Sequence, residues 1–259
     1  MNSTDHNNTG ASFAGRVVLV TGGAAGIGRA AALRFADAGA RVVVTGRRAA
    51  PLQALAAQHS AIDYLVADAG DPADAARTVD TVVARWARLD VLVNNAGAGA
   101  IVPLDAADAA TIAAIFAVNV TGPSLLATAA LPHLRSARGA IVNLSSTFGS
   151  KAAAALSHYG ASKAALEHLT RCWALELAPD GIRVNAVAAG PTDTDFLVER
   201  MQLTAEQAEA VKDDERRKIP LGRRGVPDDV ARWIVALAER DGVWITGQVV
   251  AVDGGLNIA

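Results

Sequence analysis

Tyr159 and Lys163 stand four residues apart in SHYGASKAALEHL (Ser157–Leu169), a run whose Ala and Leu content predicts a helix. That spacing puts a phenol and an ammonium on one helical face, one turn from each other. A tyrosine with an ordinary pKa of about 10 is a poor base at neutral pH, and an adjacent cation favours its phenolate. Bringing that pKa near 7 takes about 3 units, or roughly 4 kcal/mol, which a partly desolvated cleft can supply. The pair therefore reads as a proton donor/acceptor and the charge that tunes it, against the plainer reading of a solvated helix face.

The elements that would position this pair recur along the chain. Short β-branched runs at Arg16–Thr21, Arg41–Thr45, Ile62–Ala67, Leu89–Asn94, Ala140–Ser145, Ile182–Ala188 and Gly247–Asp253 alternate with Ala-rich helical stretches. Strands this apolar, each followed by a helix, predict an α/β fold: a Rossmann-like, doubly wound parallel sheet covered on both faces. Ligands of such sheets sit at the strands' carboxyl ends. The first run leads into TGGAAGIGR, whose glycines at 22, 26 and 28 do not match the common dinucleotide spacing. Its place between a strand and a helix still suits a pyrophosphate, because backbone amides and the helix dipole point there.

Composition narrows the classes. The chain has 259 residues, 51 % hydrophobic and 19 % charged, so it can bury a sizeable core. A net charge of −2 offers no basic field, so neither nucleic acid nor a membrane surface is an expected partner. Its single cysteine, Cys172, excludes an intrachain disulfide and fits a reducing, cytoplasmic setting. Cys172 shares a helical pattern with Leu169 and Trp173 and is expected to be a packed core thiol. The opening MNSTDHNNTG has no signal-peptide pattern, and residues 1–14 are expected to form a short frayed tail before a single domain at 15–259. From Ala109 to Pro132 no residue is charged, long enough for a membrane span. Asn119, Thr121, Gly122, Pro123 and Ser124 at its centre argue instead for a buried, interrupted helix. His158 adjoins Tyr159 and so points elsewhere, no G-x-S-x-G elbow is present, and no histidine pair has metal-ligand spacing, so no metal is expected.

TGGAAGIG, NNAG at Asn94–Gly97, a serine thirteen residues before YGASK, and a closing DGG occur in that order. Together they resemble the short-chain dehydrogenase/reductase family over about Gly15 to Gly255. The resemblance implies an NAD(P)-dependent oxidoreductase interconverting a ketone or aldehyde and an alcohol. It implies that Gly22, Gly26, Ile27 and Gly28 line the pyrophosphate, that Asp68 and Ala69 sit by the adenine, and that Asn95, Ala96 and Gly97 sit by the adenosine ribose and sheet edge. Ser146 matches the serine that bonds the substrate oxygen, and Lys163 matches the lysine that also bonds the nicotinamide ribose. Asn119 matches an asparagine whose carbonyl holds a water linked to that lysine; Pro123, four residues on, has no N–H to offer that carbonyl. Gly190, Thr192 and Thr194 fall in the loop that reaches the carboxamide and pyrophosphate, although Ala189 stands where the family usually has a proline that stiffens it. Family precedent also implies a homotetramer, a dimer of dimers, with the two long apolar helices as a seam.

At the end of the second strand Gly46 stands where an NAD-preferring enzyme carries an acid, and Arg47 and Arg48 follow. A glycine leaves room for a 2′-phosphate and a guanidinium can pair with it, so NADP(H) is the preferred cofactor and NAD(H) the lesser one. The polar stretch Asp195–Lys218, within a lid spanning about 191–225, is expected to cover the substrate. Small apolar residues in KAAAAL (Lys151–Leu156) and the lack of an anion clamp favour a small neutral, apolar carbonyl or alcohol over an acyl-carrier thioester. The rivals are a C=N or C=C reductase on the same scaffold, and a dinucleotide-sensing protein without turnover.

Overall fold

The structure is a computed structural model and describes residues 12–201, 203–240 and 244–259. Strands and helices alternate through the first half: β1 (Val17–Val20), α1 (Gly26–Asp37), β2 (Arg41–Gly46), α2 (Ala49–Ala56), β3 (Ile62–Val66), α3 (Pro72–Trp86) and β4 (Val91–Asn94). The second half continues with α4 (Ala109–Phe116), α5 (Gly122–Ala137), β5 (Ala140–Ser146), α6 (Ser157–Leu177) and β6 (Arg183–Ala189). It closes with α7 (Phe196–Glu199), α8 (Ala205–Lys218), α9 (Pro227–Ala238) and β7 (Val249–Val252). All seven strands are parallel in the order β3-β2-β1-β4-β5-β6-β7. The chain winds outward one way through β1–β3 and then the other way from β4. The two directions part between β1 and β4, and the turns leaving those two strands open a crevice there.

The central strands β1, β4, β5 and β6 are buried on both faces, which is why their residues are apolar with little alternation, whereas the edge strands β3 and β7 are only partly buried. In β1, Val18 and Val20 join Phe35, Leu52 and Ile234 under α1, α2 and α9. Val17 and Leu19 face the other way and join Val79, Leu92, Leu134 and Ile141 under α3, α5 and α6. The strand pleat thus distributes one short run between two cores.

Three expectations are corrected. The tail does not extend to residue 14: Phe13 is fully buried, stacks edge-on against Phe35 at 5.0 Å, and donates its N–H to the Ala38 carbonyl. Residues 1–11 lie outside the described residues. Cys172 is exposed, because the buried face of α6 is set by Tyr159, Lys163, Leu166, Thr170, Ala174 and Leu177, and Cys172 projects away from it. The apolar helix is interrupted as expected but is far from wholly buried. Ala109–Ala137 is long and apolar enough to cross a membrane by length and composition, yet only Pro123, Leu126, Ala127, Ala130 and Leu134 of α5 turn into the core.

The interruption is a wide π-helical turn, Ala117–Thr121, in which Gly122 N–H reaches back to the Ala117 carbonyl. Pro123 follows at once and has no N–H for Val118 at five-residue spacing or for Asn119 at four. Gly122 lets this turn lie against the loop after β3, since a Cβ there would stand 1.9 Å from the Ala69 carbonyl oxygen.

Candidate active site

A cleft of about 310 Å³ runs along the carboxyl ends of the strands. One end is walled by Gly46, Arg47, Ala67 and Ala69, and the middle by Gly22, Gly26, Ile27, Asn95, Ala96 and Gly97. The other end holds Ser146, Tyr159 and Lys163, faced by Gly190, Thr192 and Thr194. Residues spread over much of the chain are thus brought to one surface by the strand order.

Four residues expected in the site lie off its wall. Gly28 faces the protein, where a Cβ would meet the Asn95 amide nitrogen at 2.3 Å, so it serves the close fit of α1 to the turn. Asp68 turns back to accept the Gly70 N–H at 2.9 Å while its own N–H bonds Asp74. Arg48 is half-exposed and pairs with Glu199 of α7 at 2.9 Å. Asn119 is fully buried behind the cleft. Its Oδ1 accepts the Ala98 N–H at 2.9 Å, and its Nδ2 donates to the Ala98 carbonyl at 2.8 Å and to Ser162 Oγ at 2.9 Å. Asn95, which does line the cleft, spends its side chain on the glycine turn, donating to the Thr21 carbonyl at 2.8 Å and the Gly22 carbonyl at 3.1 Å.

The electrostatics of the pair differ from the expectation that Lys163 lowers Tyr159. Burial pushes the Tyr159 phenol above its ordinary 10.0, and the only opposing influence is its hydrogen bond with Ser146. Lys163 Nζ donates to the Leu144 carbonyl at 2.7 Å and stands 6.0 Å from the centre of the Tyr159 ring. Burial also pulls Lys163 down to about 8, against the opposing charge of Glu167 one turn further along α6. For the phenol, desolvation therefore outweighs the hydrogen bond with Ser146 and favours the protonated form.

Several neighbours were not legible beforehand. Phe196 lies with its ring 6.2 Å from that of Tyr159, and Met201 packs against Gly99, so the segment after β6 covers the phenol. Arg200 shares the cleft wall with Arg47, and burial together with the charges of Arg47 and Arg48 depresses its pKa. Nothing in the local sequence ties Arg200 to residues some 150 positions earlier. Glu167 accepts from Ser145 Oγ at 2.7 Å, and the spacing rule that joined Tyr159 to Lys163 also joins Lys163 to it.

The donor set fits a dinucleotide. An exposed cation that no ion pair among the described residues engages (Arg47) sits at one end, a glycine turn opening a helix in the middle, and hydroxyl and ammonium groups at the other end. Among the described residues no cluster of His, Cys, Asp and Glu could hold a metal ion.

The family model described as Enoyl-(Acyl carrier protein) reductase matches residues 22–257. The chain belongs to the short-chain dehydrogenase/reductase family. It is 36 % identical over 249 residues to a 3-oxoacyl-acyl-carrier-protein reductase of Thermotoga maritima, covering 94 % of this chain and 98 % of that one. It is 39 % identical to the cis-4-hydroxycyclohexanecarboxylate dehydrogenase of Sinomonas cyclohexanicum, covering 95 % and 98 %. A Caenorhabditis elegans short-chain dehydrogenase/reductase solved with cofactor superposes with a TM-score of 0.89 at 30 % identity, covering 96 % and 97 %. This short-chain dehydrogenase/reductase is accordingly an NAD(P)-dependent oxidoreductase on a Rossmann fold.

The depressed pKa of Lys163 has a consequence for stability. The folded chain holds this proton less tightly than the unfolded one, so the penalty is full below about pH 8 and fades as pH rises towards 10.5. Lys163→Met removes it. Thermal unfolding of both proteins should show the variant's Tm, relative to wild type, higher at about pH 7 than at about pH 10. A Tm difference independent of pH would mean that the buried ammonium carries no such penalty.

Proposed function

We propose that this enzyme prefers NADP(H) and interconverts a small neutral ketone or aldehyde and its alcohol, with Tyr159 as general acid in reduction and base in oxidation. The observation that carries the reading is the buried phenol of Tyr159, bonded to Ser146 and placed with Lys163 at one end of a cleft whose other end presents Arg47. Arg47 would hold a 2′-phosphate, the turn around Gly22, Gly26 and Ile27 the pyrophosphate, and Thr192, Thr194 and Lys163 the nicotinamide half. A bound nicotinamide supplies or accepts the hydride. Ser146 donates a hydrogen bond to the carbonyl oxygen as negative charge develops there, and Tyr159 delivers its phenolic proton to that oxygen. In the oxidative direction the phenol must first lose its proton, and the charge of Lys163 favours that loss. Asn119 takes part by holding Ala98 and Ser162 in place rather than by contact with substrate.

The substrate wall supports the neutral, apolar class. Ala98, Phe148, Phe196, Leu197 and Met201 line it, and the charged groups Arg224 and Glu215 beside them pair with each other. The two named relatives, a 3-oxoacyl-acyl-carrier-protein reductase and a cis-4-hydroxycyclohexanecarboxylate dehydrogenase, support carbonyl/alcohol chemistry but not the neutral class, which rests on the wall alone. The exposed apolar residues Leu125 of α5 and Leu175 of α6 support self-association through these helices.

A carbonyl panel with NADPH and NADH tests the reading. Tyr159→Phe should lower kcat by roughly 10²–10⁴, the share of a positioned acid. Near-normal turnover in that variant would remove Tyr159 from the mechanism. Arg47→Ala should cut the preference for NADPH by roughly ten- to hundredfold, because one charged hydrogen bond contributes about 1.5–3 kcal/mol. Equal use of both cofactors by the wild type would overturn the NADP(H) assignment. Light scattering at micromolar concentration should report a tetramer, and a monomer alone would contradict the proposed seam.

A further inference from the structure

Arg224, just before α9, is buried, its side chain 3 % exposed, and its guanidinium is used on three sides. Nε donates to Asp193 Oδ1 at 2.7 Å and one Nη donates to the Thr192 carbonyl at 2.7 Å. The other Nη meets the carboxylate of Glu215 on α8. The backbone beside it repeats the link: Gly225 N–H donates to the Pro191 carbonyl at 2.9 Å, and Asp193 N–H donates to the Gly225 carbonyl at 2.8 Å. This staple grips the loop after β6, the loop that lacks a proline at Ala189. Buried ion pairs are commonly replaceable by apolar residues without loss of stability, so stability alone gives little reason for one in a cleft wall. A planar fork with donors at fixed angles can hold three acceptors in one geometry, which a lysine cannot.

We infer that Arg224 is a positioning residue that fixes the Thr192 loop and joins it to lid helix α8, so that the nicotinamide end of the cleft and the lid act as one body. The inference rests on the proposed contact of the Thr192 loop with the cofactor. That half of the cofactor is common to NAD and NADP, so the staple serves both alike. Arg47, at the opposite end, discriminates between them.

Fluorescence titration of the full chain with NADPH and with NADH tests this, alongside amide hydrogen exchange of α8. Arg224→Lys should weaken both cofactors by the same factor, about ten- to hundredfold, as expected for losing one or two charged hydrogen bonds. NADPH should slow exchange across α8 in the wild type, and Glu215→Ala should abolish that slowing while weakening binding less than Arg224→Lys does. Unchanged affinity for both cofactors in a folded Arg224→Lys protein would overturn the proposal. So would a loss confined to NADPH, or α8 protection that persists in Glu215→Ala. If Arg224→Lys does not fold, the exchange result with Glu215→Ala decides. Thr192→Val separates the two layers of argument. If it binds both cofactors like the wild type, the loop is not at the nicotinamide and the underlying reading fails. If it weakens both while Arg224→Lys weakens neither, only the inference about Arg224 fails.

Discussion

The side-chain amide of Asn119 is the tie on which the catalytic end of the cleft depends. With no exposed surface, it engages both backbone groups of Ala98 and the hydroxyl of Ser162, so one residue binds the loop after β4 to α6. A buried amide must find such partners or bear the cost of desolvation, and here its partners are the segments that carry the chemistry. Ser162 in turn donates to the Tyr159 carbonyl at 2.7 Å, which carries the restraint to the helical turn bearing the phenol. The wide turn at Ala117–Thr121 gives Asn119 its reach, and the absence of a side chain on Gly122 allows that turn to sit against Ala69.

On this frame, burial rather than pairing sets the charge state of the site. Tyr159 and Lys163 share a helical face, yet the ammonium points to the Leu144 carbonyl and the phenol to Ser146. Both groups are pushed towards their neutral forms: the phenol upward, the ammonium down to about 8. Such a site makes any further charge near Lys163 count strongly because little water screens it. Glu167 is the charge already there, and it is itself held by Ser145, the neighbour of Ser146.

The Arg47 end of the cleft obeys a different balance. Arg47, Arg48 and Arg200 gather there, one pair of them from the turn after β2 and the third from beyond α7. Like charges at close range disfavour one another, and Glu199 relieves this by pairing with Arg48 and by its charge near Arg200. The Arg48–Glu199 pair is half-exposed and therefore weak, so it closes the cleft loosely where the Arg224 staple closes it firmly.

Much of this architecture was legible in the residues. The β-branched runs set the strands because apolar segments buried on both faces need no alternation, and the four-residue spacing of Tyr159 and Lys163 set their common face. The order of the glycine turn, NNAG, the serine and YGASK set the family. Local pattern determined these because each depends on neighbours a few positions away. Long-range placement decided the rest. Phe13 looked like tail until Phe35 closed over it, and Cys172 looked like core until the sheet chose the opposite face of α6. Gly28, Asp68 and Arg48 match the motif in sequence, but their side chains or faces are committed elsewhere. Arg224 meets Glu215, Thr192 and Asp193 only after the β6 loop and α8 have docked, and the direction of each buried pKa depends on how much water that docking removes. Spacing carries the geometry of a turn or a strand, whereas burial is a property of the assembled chain.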